Sequence, residues 1–203
     1  MRTERGLDRL VFFTDAVSAI AITLLILPLV DSASVAVTAH HSVERFIGDN
    51  LGQLFGFVLS FAVIARMWAV HHSLFEHVAA YSRTLFILSL FWALTIVFLP
   101  LPTEMLQFPT STITVVWYIG TMLLSSIALL LIAVTVRRHP EISPEDNPMQ
   151  ARGVFGISVN AIAFLVALIV GVAVPVINFY ALLLVLLASP AMLIYDRVMA
   201  RRA

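Results

Sequence analysis

The sequence predicts an all-α integral membrane protein, a single domain over residues 1–203 built from six membrane-crossing helices. Three observations carry this. Apolar residues make up 61% of the chain and the mean hydropathy is +1.00, whereas a soluble domain is about 45–50% apolar. A chain of 203 residues has no core large enough to absorb that excess, so it faces lipid. Apolar stretches near the length of a bilayer crossing recur along the chain, separated by short polar or charged blocks.

The spans are expected at about 10–30, 51–74, 84–101, 113–136, 153–174 and 177–196. The first is the run "RLVFFTDAVSAIAITLLILPL". The "DSASVAVTAHHSVERFIGDN" segment that follows is polar enough for a loop, with a short surface helix in its second half. The second span carries Arg66 late in its length. "LPLPTEMLQFPTS" turns the chain between the third and fourth, and the Pro-rich, charged "RRHPEISPEDNPMQAR" lies outside the membrane. No Asp, Glu or Arg occurs between Arg152 and Asp196. That stretch is too long for one crossing and divides near "VPVIN".

All 12 basic residues are Arg, and this topology puts all but Arg45 on one side. Such a bias places both termini in the cytoplasm, with Arg66 as the weak point. A basic start, an apolar run and "SASVAVTA" would also fit a cleaved signal peptide. Asp15 interrupts that run, and losing one span would spoil the charge pattern. The chain has no cysteine. It shows no Gly-rich phosphate loop, no supported Ser-His-Asp arrangement and no paired acids in a span, so an enzyme is not expected. The adjacent pairs His40-His41 and His71-His72 cannot share a helix face, so no metal site is expected. The Arg residues form no stripe for nucleic acid. No cofactor is implied.

Successive helical residues rotate by about 100°. On that wheel Ile20, Leu24 and Leu27 form one narrow stripe, continued by Asp31 and bordered by Thr23. Asp15 lies on roughly the opposite side. The stripe suits lipid contact or helix packing as readily as a special role. An acid within a span faces the protein interior, either as a polar staple between helices or as a proton-sensing or transport group. Its expected partners are His71, His72 or an Arg. His71 and His72 themselves have a hydrogen-bonding or a pH-modulating role open to them. Pro28 frees the carbonyl of Leu24, and so bends the first helix or marks its last turn.

Arg9-x-x-x-Phe13-Thr14-Asp15, followed by "AVSAIAITLLILPL", resembles the signature of the transmembrane protein 175 family of potassium channels. That family has Ser where this chain has Thr14, which keeps the hydroxyl. Trp68 and the His71-His72 pair in "WAVHH" also look like the family's second helix. The resemblance implies a bacterial inner-membrane homotetramer with the first helix of each subunit lining a central pore. It implies a hydrophobic constriction at Ile20, Leu24 and Leu27, ion preference at Thr23, and K⁺ and other monovalent cations as permeants. Asp31 would form an outer ring. Arg9, Phe13, Thr14, Asp15, Trp68, His71 and His72 would form the network that ties the pore helix to its neighbours. Arg9 falls near the pore stripe, and is expected to be turned aside by a salt bridge or to lie outside the regular helix. The rival reading is a proton-coupled transporter using Asp15 and the His71/His72 pair.

Overall fold

A computed structural model describes residues 4–108 and 111–174. The expected sixth span, 177–196, lies outside the described residues. Within them the chain is helical and carries 5 segments long and apolar enough to cross a membrane: Arg5–Thr38, Leu51–Phe75, Arg83–Gln107, Thr112–Arg138 and Ala151–Ala173.

The first segment departs from expectation. It comprises α1 (Glu4–Leu24) and α2 (Leu27–Thr38), so "DSASVAVT" is helix and not loop. The break between them falls at Leu25 and Ile26, whose N–H groups bond three residues back, to Ile22 and Thr23. Pro28 explains the break. It has no N–H for the Leu24 carbonyl, yet its fixed φ suits the first turn of a new helix. Pro28 therefore interrupts the helix without ending it. The Ser34 and Thr38 hydroxyls donate to the carbonyls of Val30 and Ser34, sparing two polar groups that read as loop formers. Termination comes at His40, in the left-handed region at φ 55. The His40 N–H bonds Val37 and the His41 N–H bonds Ala36, the paired bonds that close many helix C-termini. The short surface helix expected next is α3 (Val43–Asp49), capped by the Ser42 hydroxyl.

α4 (Leu51–Phe75) is followed by α5 (Arg83–Phe98), N-capped by Ser82. The chain does not turn at Pro100. It continues as α6 (Pro100–Glu104) and a 3₁₀ turn to Gln107, because Pro100 again occupies a first turn. The Ser60 hydroxyl, 2.8 Å from both Thr103 Oγ1 and the Tyr118 hydroxyl, anchors this continuation to its neighbours. α7 (Thr112–Arg138) opens on a Ser111 cap and ends on Arg137 and Arg138, which suit the negative end of a helix. α8 (Ala151–Ala173) packs along α7.

The core has two parts. One joins Ala21 and Leu25 to Ile64, Met67, Trp92, Ile96, Tyr118, Met122, Leu129 and Phe164. The other joins Leu10 to Leu74, Phe75, Leu85, Ile132, Val136, Ile142 and Met149. This second cluster brings the start of α1, the α4–α5 turn and the α7–α8 connection to one end of the bundle. The connection is sewn to the turn there: the Ile142 carbonyl accepts from the N–H groups of Ala79 and Ala80, at 2.7 and 3.2 Å. The Ser143 hydroxyl donates to the His77 carbonyl. Arg5, Arg9, Arg83, Arg137, Arg138 and Arg152 share this end. Arg66 does not, since it sits inside α4.

Candidate functional site: the two faces of the first helix

α1 buries a line of small or hydroxyl-bearing side chains. Leu10, Thr14, Ser18 and Ala21 are all buried, and Leu25 continues the line. The Thr14 hydroxyl donates to the carbonyls of Leu10 and Val11, and Ser18 donates to that of Thr14. Each hydroxyl is thus satisfied by its own helix, which leaves a slim face for α5 and α4 to approach. The Thr14 hydroxyl does hydrogen-bond, but within α1 and not to a neighbour.

The other face is bare. Ile20 is 58% exposed, Leu24 41% and Leu27 51%. Thr23 and Asp31 are exposed beside them. Thr23 Oγ1 donates to the Ile20 carbonyl at 2.8 Å, so its hydrogen is used within its own helix. The break at Leu25 and Ile26 alters the helical register between Leu24 and Leu27, yet both still face out. A single chain packs nothing over this stripe among the described residues.

Asp15 accepts a hydrogen bond from the Trp68 indole N–H at 2.8 Å. This corrects the expectation of a His or Arg partner. Trp68 stacks on His72, with ring centroids 5.4 Å apart, one turn further along the same face of α4. His71 is rotated toward α5 instead. It is fully buried between Trp92 and Phe75, at centroid separations of 4.0 and 4.4 Å, and neither ring nitrogen has a hydrogen-bond partner among the described residues. The 100° between successive residues separates the two His roles. Arg9 also departs from expectation. It lies in regular helix, exposed, beside Gly6, Phe13, Tyr81 and Phe86, and no ion pair holds it among the described residues.

Two polar clusters escaped the sequence reading. One is Ser60, Thr103 and Tyr118, described above. In the other, Arg66 Nη2 donates to Asn160 Oδ1 at 3.4 Å, and Asn160 Nδ2 donates to Ser126 Oγ at 3.2 Å. The signal for both is a polar residue within an apolar run, which in a bilayer has to find a partner on another helix.

The long apolar helices, stapled by buried polar contacts and exposing an apolar stripe, define a helical-bundle membrane protein. Residues 9–100 match the model of the endosomal/lysosomal potassium channel TMEM175 family. A potassium channel of Streptomyces collinus is 39% identical over 95 residues, 46% of this chain and 44% of that protein. A potassium channel of Chamaesiphon minutus is 34% identical over 110 residues, 52% of this chain and 50% of that protein. The chain thus spans about half the length of the curated relatives it matches. The crystal structure of a lysosomal potassium-selective channel TMEM175 homolog from Chamaesiphon minutus covers 98% of both chains with a TM-score of 0.62 at 23% identity, a likeness of fold. By the match over residues 9–100, a little under half of the chain, that part is similar to the TMEM175 family.

Proposed function

We propose that this protein is a potassium-preferring cation channel that conducts passively through a homotetrameric pore lined by α1. The observation that carries the reading is the stripe Ile20, Leu24 and Leu27, exposed on a helix whose opposite face is packed. One chain with its stripe on the outside encloses no pore. Four copies related by a cyclic axis enclose one, with the stripe at the centre. The relatives named as potassium channels support the same reading.

In that assembly Ile20, Leu24 and Leu27 form successive apolar rings. A narrow apolar neck sheds water and closes the path, and widening it readmits partly hydrated ions. Thr23 presents hydroxyl oxygens next to the Ile20 ring. K⁺ gives up hydration more readily than Na⁺, so such a neck favours K⁺ without a cage of carbonyls. Asp31 draws cations to the outer mouth. Asp15, on the packed face, holds α1 to α4 through Trp68. The Arg-rich end faces the cytoplasm of a bacterial inner membrane, with both termini inside.

The proton-coupled alternative has less support. A relay needs titratable groups within hydrogen-bond reach of one another, and Asp15 is held by an indole while His71 is enclosed by rings. Efflux from proteoliposomes loaded with K⁺ or with Na⁺ separates the two. The channel reading predicts passive K⁺ efflux exceeding Na⁺ efflux, changed in Ile20→Asn. Flux that needs a pH gradient and disappears in Asp15→Asn, with assembly intact, would establish the transporter.

A further inference from the structure

The face of α4 that bears Arg66 is turned away from α1. Arg66 lies two residues from Trp68, a rotation of about 200°, and Trp68 is the residue that reaches Asp15. Arg66, Ala69, Val70 and Ser73 follow one another down this far face, and His77 stands in the turn just beyond the end of α4. Gly153, Gly156 and Asn160 of α8 stand opposite. Between the two walls is an open cleft of about 530 Å³.

The cleft has a polarity gradient. At its mouth are Ser73 and His77, the latter held in place through Nδ1, 3.0 Å from the Asn147 carbonyl oxygen. At its inner end is Arg66. Arg66 stands nine residues before the end of α4, and Asn160 nine residues after the start of α8. Both are therefore about 14 Å along their helices from the same end of the bundle. A guanidinium at that depth lies within hydrocarbon, where a cation needs a counter-charge or a path to the interface. Its one described partner is the neutral Asn160 amide, which is already committed on its other side to Ser126. No carboxylate among the described residues is within ion-pair reach. The remaining N–H donors of a planar fork match two phosphate oxygens.

We propose that this cleft binds the headgroup phosphate of an anionic phospholipid from the leaflet at which α4 ends and α8 begins. Arg66 anchors the phosphate, Ser73 and His77 border the headgroup, and the small residues Ala69, Gly153 and Gly156 between them leave room for the headgroup to reach Arg66. Basic pockets between membrane helices take such headgroups. The site is independent of which ion crosses the protein, so failure of the channel reading leaves it standing.

The test uses the full chain in nanodiscs of phosphatidylcholine with and without phosphatidylglycerol. Phosphatidylglycerol retained per chain after transfer to detergent is counted by mass spectrometry. The wild type retains phosphatidylglycerol selectively and unfolds at higher temperature with it. Arg66→Gln lowers retention about fivefold, the factor that one cation near an anionic surface supplies, and Arg66→Lys restores part of it. Ser73→Phe fills the cleft without touching the guanidinium, and it too lowers retention. Wild-type retention in both Arg66→Gln and Ser73→Phe overturns the proposal. So does an equal thermal shift from inorganic phosphate alone. A spin label at Ala69→Cys supplies a check independent of those variants: relaxation by lipid-borne probes supports lipid in the cleft, and shielding shows that residues 175–203 or a second copy fill it.

Discussion

α1 and α7 are alike as sequence and opposite as structure. Both are long and strongly apolar, yet 56% of the most apolar stretch of α7 is buried within the chain, against 28% of that in the segment Arg5–Thr38 to which α1 belongs. α7 lies at the centre of the bundle, with Tyr118, Met122, Leu129 and Ile132 enclosed. α1 packs only the line from Leu10 to Ala21 and leaves Ile20 and Leu24 bare. In water the difference would be a large penalty for α1. In a bilayer it is not, because lipid is as apolar as Leu and removes the drive to bury such side chains. Hydropathy therefore says that a helix lies in the membrane, and not what it faces there. What distinguishes α1 is its packed side, where Thr14, Ser18 and Ala21 make a slim contact, so the exposed side is free for the symmetry axis proposed above.

The contrast can be broken from either helix. The largest effect on folding is expected at α7: Ile132→Ala opens a cavity in a closed site and costs about 2–5 kcal/mol, read as a lower unfolding midpoint in detergent. Ile20→Ala at the bare face is expected to leave that midpoint nearly unchanged. Tyr118→Phe removes one member of the Ser60–Thr103–Tyr118 cluster and costs about 1 kcal/mol, because one buried hydrogen bond is lost while Ser60 keeps Thr103. Trp68→Phe keeps an aromatic ring, though a smaller one, and removes the bond to Asp15. With Asp15 partly exposed, about 1 kcal/mol is expected, seen as a slightly lower unfolding midpoint in detergent. The smallest effect is Asp31→Asn, which lowers K⁺ conductance by about twofold at low ionic strength and leaves it unchanged at high salt, since an exposed charge is screened.

What the sequence reveals follows the same physics. α4, α7 and α8 are legible because an apolar run flanked by charge or by Ser and Pro marks both ends. The extension of the first span through Thr38 is not, since Ser32, Ser34 and Thr38 read as loop formers until their hydroxyls are seen bonded within the helix or, for Ser32, to Gln53 of α4. Pro28 and Pro100 look like stops and act as first-turn residues. The angular separation of Asp15 from the Ile20 stripe is legible from the 100° step alone. Its partner is not, because His71, His72 and the Arg residues are the candidates by sequence, whereas Trp68 makes the bond and His71 stacks on Trp92 of α5 instead. The Arg66–Asn160 contact joins residues 94 positions apart, which no local pattern reports.

The central claim is that the exposed stripe of α1 faces a shared ion path while equally exposed apolar residues of α7 face lipid. The chain has no cysteine, so a single thiol can be placed on either. Ile20→Cys and Leu131→Cys, the latter replacing a residue 45% exposed on α7, are reconstituted in K⁺-loaded vesicles and treated with a thiol-reactive cation. The account predicts that modification at position 20 changes K⁺ efflux sharply while modification at position 131 does not. Full labelling at position 20 with efflux unchanged would contradict it.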